Sequence, residues 1–233
     1  MTDWLTPDEW GIVALSLKVS VAAVLATLPL SYALAWVLAR RRFPGVILLD
    51  ALVHLPLVVP PVVTGWLLLL LFGRNGPAGG WLEAQFGITL VFRWTGAALA
   101  AAVMALPLMV RAMRLSIEAV DRRLVDAART LGANRWRAFL TITLPLSAPG
   151  IAAGALLGFA RSLGEFGATI TFASNIAGQT RTLPLAIYSG LQLPGGEALV
   201  TRLSLISIAL SMGALVVSEL LVRRSAGSRA HVL

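Results

Sequence analysis

The sequence predicts an all-helical integral membrane protein with five transmembrane helices. Of its 233 residues, 58% are hydrophobic and only 13% are charged, whereas a soluble domain carries about 25% charged residues. Several apolar runs are long enough to cross a hydrocarbon core of about 30 Å. Together these observations exclude a soluble globular domain.

Five apolar segments account for most of a membrane domain that we expect over residues 11–222, followed by a short cytoplasmic tail at 223–233. The predicted spans cover residues 11–39, 46–72, 94–112, 144–161 and 203–222. The first is read as a retained helix rather than a cleaved signal peptide, because its N-terminal flank is acidic and its apolar run is long.

Basic residues are distributed unevenly among the connections between these spans. Thirteen of the nineteen Lys and Arg residues follow spans one, three and five. Because cytoplasmic loops carry the excess of Lys and Arg, we expect the N-terminus outside and the C-terminus in the cytoplasm.

One span and one loop show local features that interrupt regular helix. Pro56, Pro60 and Pro61 are expected to bend or break the second span at membrane depth. The long external connection, about 162–199, contains an alternating stretch at 168–172 that resembles a strand. An isolated strand would leave unpaired edges, so we expect a re-entrant or broken helical segment there.

Several kinds of chemistry are excluded or disfavoured by residue counts. The chain has no Cys and only two His, which leaves no disulfide, thiolate nucleophile or metal cluster to expect. Its single Lys, Lys18, lies in an apolar run, so no phosphate-binding P-loop exists. We expect no cofactor in this chain and no nucleic-acid partner, and any ATP must be bound by another subunit.

The most specific pattern lies in the cytoplasmic connection, about 111–141, which reads as helical. Asp126, Ala127 and Ala128 precede Gly132 by a short interval, and Ile142-Thr143-Leu144-Pro145 follows. Two small residues allow close approach of another body, and Gly132 permits a sharp turn. This predicts a protruding helix-turn-helix knob; the alternative is an amphipathic helix lying on anionic lipid.

The pattern resembles the EAA motif of the membrane subunits of ABC importers, with Asp126 where that family usually has Glu. The segments 55–63, 128–132 and 161–169, with 182–184 and 194–197 after them, are similar to the molybdate, tungstate and sulfate branch over nearly the whole chain, most of all to molybdate permeases. A sulfate or thiosulfate permease subunit is the alternative within this branch.

The resemblance implies a type I ABC importer permease fold with cytoplasmic coupling helices in a bacterial inner membrane. It also implies a homodimer with a second permease copy, two ATPase subunits that carry ATP and Mg, and an external oxyanion-binding protein. The coupling residues that it implies are Asp126, Ala127, Ala128, Leu131, Gly132 and Trp136. Asp126 would cap a helix or form a salt bridge.

Pathway residues are assigned from polar groups and helix breaks in the apolar spans. The candidates are Pro60, Pro61, Thr64, Ser162, Glu165, Thr169 and, with them, Thr171. Arg161 and Glu165 lie four residues apart and are expected to pair. Gly150, Gly154 and Gly158 recur at four-residue intervals and predict close helix packing, more within one subunit than at a dimer seam.

Two rival functions remain to be weighed against the transporter. An intramembrane serine hydrolase would use Ser162 and His54, but the sequence around Ser162 lacks the first Gly of the nucleophile elbow. A secondary transporter that works alone would show paired halves and more spans. We otherwise expect His54 to be a hydrogen-bonded core residue and Lys18 to extend toward the outer interface.

Overall fold

The computed structural model describes residues 4–41 and 43–230, with side chains described up to residue 220. Within this part of the chain every regular element is helical and no strand occurs, which confirms the predicted fold class at this level. The helices are α1 Pro7–Arg40, α2 Val46–Val58, α3 Pro61–Phe72, α4 Pro77–Phe86, α5 Trp94–Glu118, α6 Arg122–Thr130, α7 Arg135–Ala138, a π-helix Phe139–Thr143, α8 Leu144–Leu163, α9 Gly167–Phe172, α10 Leu183–Leu191 and α11 Glu197–Ala230.

Four helical segments are long and apolar enough to cross a membrane. They are α1, α5, the continuous segment Arg135–Leu163 and the Glu197–Leu220 part of α11. The pair α2 and α3 meets the same test only when taken together, and its two axes are bent by 115°. By length and composition, the described residues therefore contain four spans, or five if the bent pair counts as one.

Helix α5 forms the centre of the fold. Its Met104, Met109, Met113 and Ile117 are almost fully buried, and α1 and α8 pack along its length. Small residues make this close packing possible: a Cβ atom at Gly154 would lie 3.2 Å from the Met109 carbonyl oxygen. The glycine series of α8 therefore packs against α5 inside one subunit, as predicted.

Polar contacts fix the two ends of α1. At its start, the Glu9 carboxylate is 1% exposed and accepts hydrogen bonds from the Arg202 guanidinium of α11 at 2.6 and 3.0 Å. At its end, the Arg40 guanidinium donates to the carbonyl oxygens of Ile117 and Val120 at 3.0 and 3.1 Å. Arg40 thus adds a side-chain donor to carbonyl groups at and just beyond the last turn of α5, where regular helical bonding ends.

The third predicted span is too short. Helix α5 continues past residue 112 to Glu118, and Arg114 pairs with Glu118 at 2.8 Å within it. Helix α8 begins at Leu144 with Pro145 in its first turn, as predicted for the fourth span, but the residues before it are helical as well, from Arg135 onward. A π-turn in which the Leu144 amide bonds to the Phe139 carbonyl replaces regular helix just before Pro145.

The C-terminal helix is also longer than predicted. Helix α11 begins at Glu197 rather than at 203 and reaches Ala230, so most of the expected tail at 223–233 continues the helix. The last three residues of that tail lie outside the described residues.

The connection at about 162–199, which is predicted to be external, is a broken helical segment, as predicted, and not a strand. The alternating stretch forms the short helix α9, in which Ala168 and Phe172 are fully buried. It packs on α3, where a Cβ at Gly65 would lie 2.7 Å from the Ala168 carbonyl oxygen. This contact requires glycine at position 65.

Packing against α5 makes a specific stability prediction. A Cβ atom at Gly150 would overlap Ser116 on α5, whereas Gly213 on α11 has no heavy atom within 4 Å. We expect Gly150→Ala to lower the unfolding free energy by about 1 to 3 kcal/mol through overpacking. Gly213→Ala should leave stability unchanged or raise it by up to about 1 kcal/mol through helix propensity. Thermal unfolding of both variants in detergent measures this, and equal melting temperatures would contradict the packing.

Candidate functional site

The knob predicted from the motif is formed by α6, a four-residue turn and α7. The Asp121 side chain caps the start of α6 by accepting a hydrogen bond from the Arg123 amide at 2.9 Å. At the end of α6, Gly132 has φ +90°. The Gly132 amide donates to the Arg129 carbonyl oxygen, and the Ala133 amide donates to the Ala128 carbonyl oxygen. This is a Schellman motif, which requires a left-handed residue and therefore favours glycine.

One face of α6 presents apolar groups to the outside. Leu131 is 89% exposed and Leu124 is 49% exposed, and Ala127 between them is also exposed. Trp136, at the start of α7, is 74% exposed. No residue of α6 is buried, so this apolar face has no partner within the described part of the chain.

Asp126 lies on the face of α6 opposite the exposed apolar face. It does not cap the helix, which was one of the two roles expected of it. The helix is capped by Asp121, not by Asp126. Asp126 lines a cavity of about 480 Å³ that also contains Arg122 and Arg129, and no ion pair of Asp126 occurs among the described residues. Residues 122, 126 and 129 share one face because they are spaced by about one helical turn.

The second half of the candidate site is a meeting point of two helix breaks. One break separates α2 from α3 at Val59 and Pro60, as the prolines predict. The other separates α8 from α9 at residues 164–166. The two are adjacent, because a Cβ atom at Gly167 would lie 2.6 Å from the Cβ atom of Pro61.

Both breaks lie alongside α5 and not beyond its ends. Gly158 of α8 packs beside Met109, while Phe172 of α9 packs beside Gly96 near the start of α5. The α8–α9 junction therefore lies between these two levels. Irregular backbone at such a depth occurs in membrane proteins only where protein covers it or where it lines a cavity.

A charged pair at this junction connects the end of α8 to the start of α9. Arg161 and Glu165 pair at 2.7 Å, as predicted, and the Glu165 carboxyl group is only 2% exposed. The second carboxylate oxygen of Glu165 accepts a hydrogen bond from the Ala168 amide at 2.8 Å. Both oxygens are thus used to hold the end of α8 and the start of α9 together.

The predicted hydroxyl groups are buried around the same junction. Thr64 of α3, Ser162 of α8 and Thr169 of α9 are 7%, 5% and 2% exposed. The Ser162 hydroxyl has no hydrogen-bond partner within the described residues. Thr171 instead donates to the Gly167 carbonyl oxygen at 3.0 Å and so satisfies its own hydroxyl group.

This geometry contradicts the serine hydrolase alternative. His54 lies on α2 and its Nδ1 contacts the carbonyl oxygen of Asp50 at 2.9 Å. Because the Ser162 hydroxyl has no hydrogen-bond partner, no Ser–His pair exists to activate it. His54 is hydrogen-bonded, as expected, but it is not a core residue, because its side chain is 28% exposed.

Sequence reasoning missed a cluster of charges between α2 and α5. Arg114 pairs with Asp50 at 3.2 Å and with Glu118 at 2.8 Å, and His54 contacts Asp50. The four-residue spacing of Asp50 and His54, and that of Arg114 and Glu118, was the available signal. Lys18, by contrast, reaches Trp94 as a cation–π pair at 3.9 Å, close to the start of α5.

Comparison with known proteins identifies the family. The model of the binding-protein-dependent transport system inner membrane component matches residues 19–227. The chain is 61% identical over 221 residues to the molybdenum transport system permease protein ModB of Escherichia coli, covering 95% of this chain and 96% of that protein. It is 56% identical to ModB of Haemophilus influenzae, covering 93% and 94%.

A sulfate transport protein is also similar, over a shorter length. Sulfate transport system permease protein CysT of Escherichia coli is 45% identical over 159 residues, covering 68% of this chain and 57% of that protein.

Solved structures share the fold at low sequence identity. An amino acid ABC transporter chain superposes with a TM-score of 0.64 at 20% identity, covering 96% of this chain and 99% of the other. A bacterial ABC transporter for alginate import gives a TM-score of 0.71 at 17% identity, covering 94% and 80%. The chain therefore belongs to the family of binding-protein-dependent transport system inner membrane components, and it is a permease subunit of the ABC importer type rather than an enzyme.

Proposed function

We propose that this chain is the membrane subunit of a bacterial importer that moves molybdate across the inner membrane. The observation that carries the proposal is the similarity to ModB of Escherichia coli, which extends over 95% of this chain and 96% of that protein. The similarity to the sulfate permease CysT is lower and covers only 57% of that protein. Sulfate is therefore the second candidate, and tungstate, another tetrahedral dianion, is a candidate alternative to molybdate.

The proposed assembly contains two permease copies, two ATPase subunits and an external binding protein. This chain has no P-loop, since its only Lys is Lys18, so the energy of ATP must come from a partner. A related precedent is the alginate ABC transporter solved in complex with a periplasmic protein. The exposed apolar face of α6 gives the ATPase a surface to bind.

The proposed topology has five spans, with α2 and α3 together forming one broken span. Asp50 of α2 pairs with Arg114 near the end of α5, while Leu68 of α3 packs with Ala100 near its beginning. The pair thus follows α5 from one half to the other. The excess of arginine after spans one, three and five supports an external N-terminus and cytoplasmic α6.

The proposed pathway passes the junction of the two helix breaks. Broken helices at membrane depth are a common feature of substrate sites in transporters, because freed backbone groups can bind polar substrate. Here Pro60, Pro61, Thr64, Ser162 and Thr169 surround the junction, and Glu165 with Arg161 holds it together. Separation of α3 from α9 would expose these hydroxyl and backbone groups to the substrate.

The pathway needs two helices that can separate, whereas the proposed coupling needs α6 to remain a rigid body. Its Asp121 cap and Gly132 turn fix both ends, so force applied to Leu124, Ala127 or Leu131 is transmitted to α5 and α8. ATP can shift the two conformations only if the ATPase binds them with different free energy. A rigid α6 converts ATPase closure into movement of α5 and α8.

Uptake by a reconstituted transporter tests the substrate. The vesicles contain this permease with its ATPase on the inner side, and a molybdate-binding protein is added outside. We expect them to accumulate molybdate only when ATP is enclosed with the ATPase. A matched preparation with a sulfate-binding protein should accumulate little sulfate. Equal or greater sulfate uptake would transfer the assignment to the sulfate branch, and absence of uptake with either protein would contradict the proposed function.

Two substitutions on the exposed face of α6 test the coupling surface. Leu131→Ala removes a side chain that is 89% exposed, and Ala127→Trp adds bulk on the same face. Each should reduce ATPase co-purification by roughly 5- to 30-fold, as interface anchors of about 1 to 2 kcal/mol do.

The matched control is Leu193→Ala, which removes an equally apolar side chain, 64% exposed, between α10 and α11. It should leave co-purification unchanged. If all three variants retained the ATPase and transported at the normal rate, α6 would not be the coupling element and the lipid-surface interpretation would replace it.

A further inference from the structure

A groove with aromatic walls lies between the C-terminal part of α1 and the segment around α7. Its volume is about 450 Å³. Phe139 lies at its centre, with ring centroids 6.0 Å from Tyr32, 6.5 Å from Trp36 and 6.2 Å from Trp136. Phe139 also begins the π-turn, so the irregular turn and the groove occur together. The lining is mainly apolar and suits a hydrocarbon chain.

The groove lies next to the basic cavity behind α6. The two share Trp36, Arg41, Arg135 and Phe139 in their linings. The basic cavity, about 480 Å³ in volume, contains five guanidinium groups and one carboxylate. They belong to Arg40, Arg41, Arg122, Arg129, Arg135 and Asp126.

Most of this positive charge is not neutralised by the protein. Arg40 bonds to the end of α5, and Arg41 lies 5.3 Å over the Trp36 ring. None of the ion pairs found in the described residues includes any of the five arginines. An uncompensated cluster of this kind is stabilised by an anion with several oxygen acceptors, such as a phosphate group.

We propose that the groove and the basic cavity together bind one anionic phospholipid of the cytoplasmic leaflet. Its phosphate would lie between Arg41 and Arg135, and one acyl chain would occupy the aromatic groove. The placement in the cytoplasmic leaflet depends on the proposed topology. Basic pockets beside transmembrane helices on this side are suited to anionic headgroups, and here the apolar continuation distinguishes a lipid from a free oxyanion.

The arrangement assigns two ligands to the two faces of α6. Arg122, Asp126 and Arg129 face the basic cavity, while Leu131 and Ala127 lie on the exposed face. A lipid bound behind α6 would therefore support the helix from the membrane side without covering the apolar face that the ATPase needs. The lipid and the ATPase would then bind at the same time.

Lipid retention by the permease–ATPase complex tests the proposal. The complex is reconstituted in a mixture of phosphatidylcholine and phosphatidylglycerol, extracted in mild detergent, and its retained lipids are quantified by mass spectrometry. We expect selective retention of phosphatidylglycerol. In Arg41→Ala/Arg135→Ala the selectivity should fall roughly 30-fold, about five-fold for each arginine, and Arg41→Lys/Arg135→Lys should restore part of it.

The matched control is Arg111→Ala/Arg137→Ala, which removes the same charge from residues outside both cavities and should retain the lipid. Unchanged melting temperatures establish that each variant is folded. A further variant, Ala33→Trp, fills the groove because Ala33 lines it and is exposed. It should also reduce retention.

Three results would overturn the proposal. Retention that falls in the arginine variant but not in Ala33→Trp, together with displacement by inorganic phosphate, would identify a free-anion site. Equal retention of phosphatidylcholine would show that charge plays no part. Phosphatidylglycerol that is retained by the permease alone but lost from the permease–ATPase complex would show that a protein surface occupies the cavity instead.

Discussion

The structure depends on one constraint: inside a bilayer, backbone amide and carbonyl groups have no water to bond with. Long helices satisfy these groups internally, and wherever a helix stops at membrane depth another part of the protein must cover it. Glu165 joins the end of α8 to the start of α9. Packing of α9 on α3 covers the break between α2 and α3, through glycines at the contact. At these helix breaks, a change of packing would expose backbone amide and carbonyl groups.

The same constraint separates the proposed transport and coupling parts of the molecule. At membrane depth, the α3–α9 junction is closed by small residues and buried hydroxyl groups, which offer polar contacts without a fixed charge toward substrate. Outside the apolar core, α6 is held by polar caps and exposes apolar side chains. The long helices α5 and α8 connect the two regions and pack closely against each other through the glycines of α8.

The sequence predicts the large features of this fold because they follow from length, composition and a few special residues. Pro60 and Pro61 mark a break, Gly132 marks a left-handed turn, and the glycines of α8 mark close packing. The pairing of Glu9 with Arg202 is not predictable in the same way, since the residues are 193 positions apart. The cap of α6 is not predictable from the motif either: Asp121 rather than Asp126 forms it, because a motif records spacing, whereas the contacts of a side chain depend on tertiary structure.

The central claim, that substrate passes the α3–α9 junction, is tested most directly by cysteine accessibility, because the chain has no native Cys. Gly164→Cys places a thiol at the break, and Ile208→Cys places one on α11 at a side chain that is 56% exposed. In the assembled transporter, a charged thiol reagent should modify position 164 at a rate that changes with nucleotide state. Position 208 should react only with a lipid-soluble reagent. If position 164 behaves as position 208 does, the junction faces lipid and the proposed pathway is wrong.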